Sequence, residues 1–168
     1  MDNNNQKTSI DNICCKIYQL IILFILKLIL FTFIRGLILD DEWVEEIEAV
    51  KFFLKKLNYL INDSNCQIDI QRKRRGENPL DSNSTNNTII DLDYNSEDIR
   101  EELLTLKISD YIKTVIDIIR PNTPNYWIFS KNIKGKDIYI KLKICDINKI
   151  HLMSFHYAVK RIEDKPYI

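Results

Sequence analysis

Strict alternation of apolar and polar residues constrains this chain more than any other feature. Within residues 137–144, Ile138, Ile140, Leu142 and Ile144 alternate with Tyr139, Lys141 and Lys143. That is the period of a strand with one buried and one open face. The preceding run, residues 126–133, is aromatic and β-branched, and Lys134-Gly135-Lys136 separates it from the next strand. Gly135 can take the positive φ of a hairpin turn there. After a short polar loop at 145–149 the alternation resumes over 150–156, with Met153 and Phe155 as the inward set and Leu152, Ser154 and His156 opposite. The result is a three-stranded antiparallel meander. In its simplest register His156 shares a face with Tyr139 and Lys141, while His151 lies on the other face as a structural residue; a slip of one residue would separate the three.

Upstream, residues 42–60 carry Val44, Ile47, Val50, Leu54 and Leu57, followed by Ile61, at spacings of three and four, with acidic residues preceding basic ones. This predicts an amphipathic helix whose charges suit its dipole. Residues 66–72 alternate Ile68 and Ile70 with polar residues and predict a strand that pairs with the meander. Residues 73–95 contain Gly76, Pro79 and a run of Asn, Ser, Asp and Thr, the composition of a flexible surface loop. A second helix is predicted over 96–106, capped by Asn95 or Ser96, with Ile99, Leu103 and Leu106 on its buried side. Arg120-Pro121 and Thr123-Pro124 mark the loop before the hairpin. The fold class expected is therefore α+β: a small antiparallel sheet packed against two helices, in one domain over 42–168.

Two segments precede that domain. Residues 1–16 are a polar tail, and residues 17–39 are almost wholly apolar apart from Gln19, Lys27, Thr32, Arg35 and Gly36. About 20 such residues suffice to cross a bilayer as a helix. Lys27 costs roughly 2.5–3.5 kcal/mol on insertion scales, and the many Leu, Ile and Phe residues each return roughly 0.3–0.6 kcal/mol, so the aliphatic majority wins. The segment is too long for an ordinary signal peptide and has no small-residue cleavage site. It predicts a single-pass membrane protein with a cytoplasmic C-terminal domain. If translation begins downstream of this segment, the protein is cytoplasmic.

The string from Tyr126 to Ile144, followed by Ser154-Phe155-His156, resembles the MqsR-like toxins of type II toxin-antitoxin systems, and Ser96 to Leu106 with Ser109-Asp110-Tyr111 resembles the helix and linker that precede this hairpin in the family. The resemblance covers roughly residues 44–167 and is weakest over 73–95. It implies a fold similar to the RelE-type ribonucleases, cleavage of single-stranded mRNA without metal or other cofactor, and neutralisation by a cognate antitoxin protein. The chain departs from the pattern after His156, where Tyr157-Ala158-Val159-Lys160-Arg161 stands in place of an acidic residue and an earlier proline.

Metal-free RNA cleavage needs a base for the 2′-hydroxyl, an acid for the leaving oxygen and cations for the phosphate. His156 titrates nearest neutral pH and resembles the family position after Ser-Phe, so it is the candidate for proton transfer, against a solvated strand end. Tyr139 is a candidate for orienting phosphate or donating a proton, against simple packing. Lys141 matches the family's strand lysine and is a phosphate ligand, against a solubilising role. Lys113, matching a lysine after the family's Asp-Tyr pair, joins Lys143 and Tyr126 as RNA-binding candidates, although an exposed helix lysine is commonplace. The Arg72-Lys73-Arg74-Arg75 run reads first as solvated surface and only second as a phosphate contact.

The charge balance supplies no global attraction to RNA: 24 Lys and Arg residues face 24 Asp and Glu residues, so any phosphate site must come from local clustering. The four cysteines, Cys14, Cys15, Cys66 and Cys145, lack zinc-site spacing and fit reduced thiols in a cytosolic domain. Two rivals to the ribonuclease share these residues. One is a catalytically inactive module that binds RNA or protein at a membrane. The other is a membrane-anchored assembly protein with no RNA affinity.

Overall fold

The alternating stretch forms the centre of a six-stranded mixed sheet in the order β1-β3-β4-β5-β6-β2. The strands are β1 (Glu42–Trp43), β2 (Gln67–Ile70), β3 (Tyr111–Val115), β4 (Tyr126–Ile133), β5 (Lys136–Asp146) and β6 (Lys149–Tyr157). All neighbours are antiparallel except β2 and β6, which run parallel. Within Asp41–Ile168, three helices, α1 (Ile47–Ile61), α2 (Thr85–Leu92) and α3 (Ser96–Leu104), with a 3₁₀ turn at Ile108–Asp110, complete an α+β fold. The computed structural model describes residues 41–74, 76–160, 162 and 164–167, together with Ile21, Leu26 and Lys27. Asp41–Ile168 is one compact unit. The polar tail and nearly all of the proposed 17–39 span lie outside the described residues. No helix among the described residues is long and apolar enough to cross a membrane.

The β4–β5 hairpin turns on two residues, Lys134 (φ 51°) and Gly135 (φ 82°), with Ile133 paired to Lys136. Two successive positive φ values match the right-handed twist of the flanking strands, as in a type I′ connection. The apolar residues of β5 that alternate along the strand, Ile138, Ile140 and Leu142, are fully buried, and they meet Phe155, Leu152 and Ile150 of β6 with Val50, Phe53, Leu57, Ile89, Ile99 and Leu103 of the helices. Phe53 stacks on Trp127 at 4.1 Å between ring centroids. The three helices thus share one core with a single face of the sheet.

Several elements differ from the sequence reading. The first helix begins at Ile47, because Glu42 and Trp43 pair with Val115 and Thr114 as a short edge strand. Val44 and Ile47 are consequently exposed, and Phe53 and Leu60 take inward places that the three-and-four count gave to others. The sheet has six strands and is mixed, and it is covered by three helices instead of two.

The expected loop at 73–95 contains α2. Ser84 caps it by accepting from the Asn87 N–H (3.2 Å), and Asp93 ends it in the left-handed conformation. The reason a helix sits there lies in β6. Strand β2 pairs with β6 only as far as Leu152, which leaves later edge N–H groups of β6 to be satisfied. Phe155 N–H donates to Thr85 Oγ1 and Tyr157 N–H to Thr88 Oγ1, each at 3.2 Å. The polar composition that resembled a loop supplies those acceptors. Helix α3 keeps its expected cap: Asn95 accepts from Glu97 and Asp98 N–H while Asp98 accepts from Asn95 N–H.

Candidate functional site

The face of the sheet turned away from the helices carries the polar half of the alternation. Where Tyr139 and Lys141 face β6, its geometry depends on an irregularity in the β5–β6 pairing. Lys141 pairs with Ser154 but Leu142 pairs with Leu152, so Met153 is an extra residue, a β-bulge. The bulge changes the phase of β6. Leu152 and Phe155, an odd number apart, both enter the core, whereas Met153 is only half-buried. This corrects the expected inward set of Met153 and Phe155. It also moves His151, expected on the opposite face, to the same open face as His156, because His151 pairs with Lys143 and His156 with Tyr139.

Tyr139, Lys141 and His156 line one open cleft of ≈ 480 Å³ with Arg74 and Ser154, walled by the chain that leaves β6. The Tyr139 and His156 rings stack at 5.2 Å between centroids, 23° from parallel. His156 Nδ1 lies 2.9 Å from the Tyr157 carbonyl oxygen. A carbonyl only accepts, so Nδ1 carries the hydrogen, and Nε2 of the neutral ring is left with its lone pair. Burial pushes the His156 imidazole below its ordinary pKa; Arg74 acts in the same direction and the Tyr157 carbonyl against it.

Burial likewise lowers the Lys141 ammonium, with Arg74 and Lys113 adding to the effect and Asp117 opposing it. The Tyr139 phenol is raised, chiefly by burial. At neutral pH the cleft therefore favours a neutral imidazole and a phenol that keeps its proton, beside the basic side chains of Arg74 and Lys141.

Arg74 is the residue that sequence reasoning placed second. The chain leaving β2 continues along β6, with Gln71 N–H donating to the Leu152 carbonyl at 2.9 Å. A turn then closes at Gly76 (φ 79°), where Arg74 N–H donates to Glu77 and Glu77 N–H to the Arg74 carbonyl. The Arg74 guanidinium reaches Ser154 Oγ as a result. Nothing in the local pattern of Arg72-Lys73-Arg74-Arg75 separates Arg74 from its neighbours; its role follows from the parallel pairing of β2 with β6.

Three RNA-binding candidates are placed differently from expectation. Lys143 is only 3 % exposed and donates to Asp117 (2.7 Å) and to Thr123 Oγ1 (2.8 Å), so it is committed to a buried ion pair. Tyr126 is 6 % exposed, with the Lys141 and Lys143 ammoniums 4.8 and 4.6 Å from its ring centroid, so it offers no free face to a base. Its hydroxyl pKa is pushed up to about 12, first by burial and then by Asp117. Lys113 stands on strand β3, not on a helix, and pairs with Glu42 at 2.6 Å. Trp127 and Phe129 belong to the helix-facing side, as expected of core aromatics.

Among the described residues no group of three or more His, Cys, Asp or Glu side chains is close enough together to hold a metal ion. Comparison of the chain with models of known families, with curated proteins and with solved structures finds no match.

Proposed function

We propose that this protein is an endoribonuclease of the MqsR-like, RelE-type toxin class, cleaving single-stranded mRNA by attack of a 2′-hydroxyl on the adjacent phosphate. The observation that carries the reading is the convergence of His156, Tyr139, Lys141 and Arg74 on one open cleft. His156 Nε2 takes the 2′-hydroxyl proton, which suits an imidazole kept neutral near pH 7. The 2′-oxygen then bonds to phosphorus and the bond from phosphorus to the 5′-oxygen breaks, leaving a 2′,3′-cyclic phosphate.

Arg74 and Lys141 stabilise the charge gathering on the phosphate oxygens. The departing 5′-oxygen needs a proton. Burial makes the Lys141 ammonium more acidic than usual and the Tyr139 phenol less so, so Lys141 is the better donor. Tyr139 holds the imidazole by stacking. The same reading brings a protein antitoxin as partner; separately, the apolar composition of residues 17–39 supports a membrane anchor that leaves the catalytic unit in the cytoplasm, and without that segment the protein is cytoplasmic.

The test is incubation of the purified full-length chain with mixed RNA in excess chelator, followed by mapping of new ends. Cut RNA bearing 5′-hydroxyl and cyclic phosphate ends is expected, and loss of cutting in His156→Ala and Lys141→Ala. RNA bound tightly without cut ends would overturn catalysis in favour of a binding module.

A further inference from the structure

The bulge at Met153 has a second effect on the open face: it brings a further cleft into line with the first. This cleft, ≈ 460 Å³, lies toward the other end of β5 and β6 and is lined by Arg120, Lys149, His151 and Asp69, with Lys143 and Tyr126 in its floor. Met153 lines both clefts, and Lys141, which lines the first, lays its ammonium over Tyr126 of the second. The two are therefore neighbouring parts of one surface along the strands. From Tyr139 to Cys145 that surface extends about 20 Å at the rise of an antiparallel strand, long enough for several nucleotides of a single strand.

We propose that this second cleft is a nucleotide-binding subsite for the same single-stranded RNA, holding a nucleotide away from the scissile phosphate. The inference rests on the ribonuclease reading of the first cleft. The chemistry divides among the lining residues. The Lys143 charge is neutralised within the floor by Asp117 at 2.7 Å. Arg120 and Lys149 are exposed at the rim and join no ion pair among the described residues. They are the groups free to hold a phosphate.

His151 is a platform for a base. Its Nδ1 lies 3.2 Å from Asp69 Oδ2, so the imidazole plane is fixed from one side by the edge strand β2. Imidazole rings are among the side chains on which unstacked RNA bases rest. The pairing of a fixed ring with two unengaged cations is the usual composition of a single-strand site. A free mononucleotide would use the same contacts, but continuity with the first cleft favours a longer strand.

Binding is read with 2′-fluoro RNA, which cannot attack its own phosphate, against the full-length chain over a range of salt. Oligomers of about three and about eight nucleotides are compared, the shorter filling one cleft and the longer both. The longer oligomer is expected to bind at least tenfold more tightly. Replacing both Arg120 and Lys149 by Ala should abolish that gain and reduce the log–log salt slope for the longer oligomer by about 1.4, at roughly 0.7 per lost single-strand phosphate contact. The shorter oligomer should be unaffected, and the Arg120→Lys, Lys149→Arg pair should restore slope and gain together. If the double Ala variant keeps the length gain and the slope, or if the parent shows no length gain, the second subsite is wrong while the ribonuclease reading stands. If the parent binds neither oligomer, both fail.

Discussion

The imidazole of His156 stacks on the ring of Tyr139, its direct partner across β5 and β6, at 5.2 Å and 23° from parallel. With Nδ1 engaged by the Tyr157 carbonyl, the ring is fixed both in plane and in tautomer. Its remaining nitrogen can act on a substrate only while the ring is neutral, so the behaviour of the cleft follows the titration of this one group.

The folded protein resists protonating His156, because burial and Arg74 lower its pKa from the ordinary 6.5. The unfolded chain therefore binds more protons in the window between the folded value and about 6.5. Stability contributed by the neutral ring is complete above that window and declines as pH falls through it. Thermal denaturation across this range should slope downward toward acid, and His156→Gln should flatten the slope. Cleavage should show an acid limb in the same window, and Arg74→Met, which removes one cause of the shift, should move the limb to higher pH.

Lys143 and Asp117 make a different prediction. Burial raises the Asp117 carboxyl, yet the Lys143 and Arg120 hydrogen bonds and the Lys143 charge outweigh it and the net shift is downward. The pair thus stabilises above the unfolded carboxylate range and is lost as pH falls through the lowered value. Asp117→Ala leaves a buried ammonium without a counter-charge and should cost about 3 kcal/mol in chemical denaturation. Replacing both, as Lys143→Met with Asp117→Leu, should recover most of that loss. A double variant as unstable as the single one would mean that the charge itself is not what the pair compensates.

The strands of the hairpin and meander were legible because period-two alternation depends only on the sheet having one wet face. The convergence of Tyr139, Lys141 and His156 followed from the same count, but for an incomplete reason. In 150–156 a strict alternation cannot bury Leu152 and Phe155 together, and only the bulge at Met153 reconciles them. That bulge is set by packing against the helices, which the local pattern does not contain. Helix α2 was illegible because its two threonines serve an edge of β6 some 70 residues later. Lys143 looked like an open-face cation because its partner, Asp117, lies in the loop before the hairpin. Arg74 was hidden for the same reason, with Ser154 80 residues away.

The hairpin turn offers a test of local backbone strain. At Gly135 a Cβ would meet nothing within 4 Å, so space is not limiting, but φ is 82°. Gly135→Ala should destabilise the fold by about 1 kcal/mol through the left-handed conformation alone. Gly135→Asn should cost less, since Asn tolerates that region. Denaturation midpoints of the two variants, with unchanged denaturant dependence, would check the order. Equal losses would point to the turn having another geometry in solution.

Tyr139 separates two ways of contributing to the cleft. If its ring is what matters, by holding the His156 imidazole, then Tyr139→Phe keeps the stack and should retain cleavage within a few-fold. Tyr139→Ala removes the platform and should lower the cleavage rate by at least about tenfold, in the range expected when a proton-transfer group is no longer held in place. If instead the hydroxyl donates to the phosphate, Phe should be as damaging as Ala. The phenol's raised pKa argues for the first outcome, because a group that holds its proton more firmly than usual is a poor acid for a leaving oxygen. Single-turnover cleavage of one short RNA by the three proteins decides between them, and His156→Ala in the Tyr139→Ala background should add little if the two rings act as one unit.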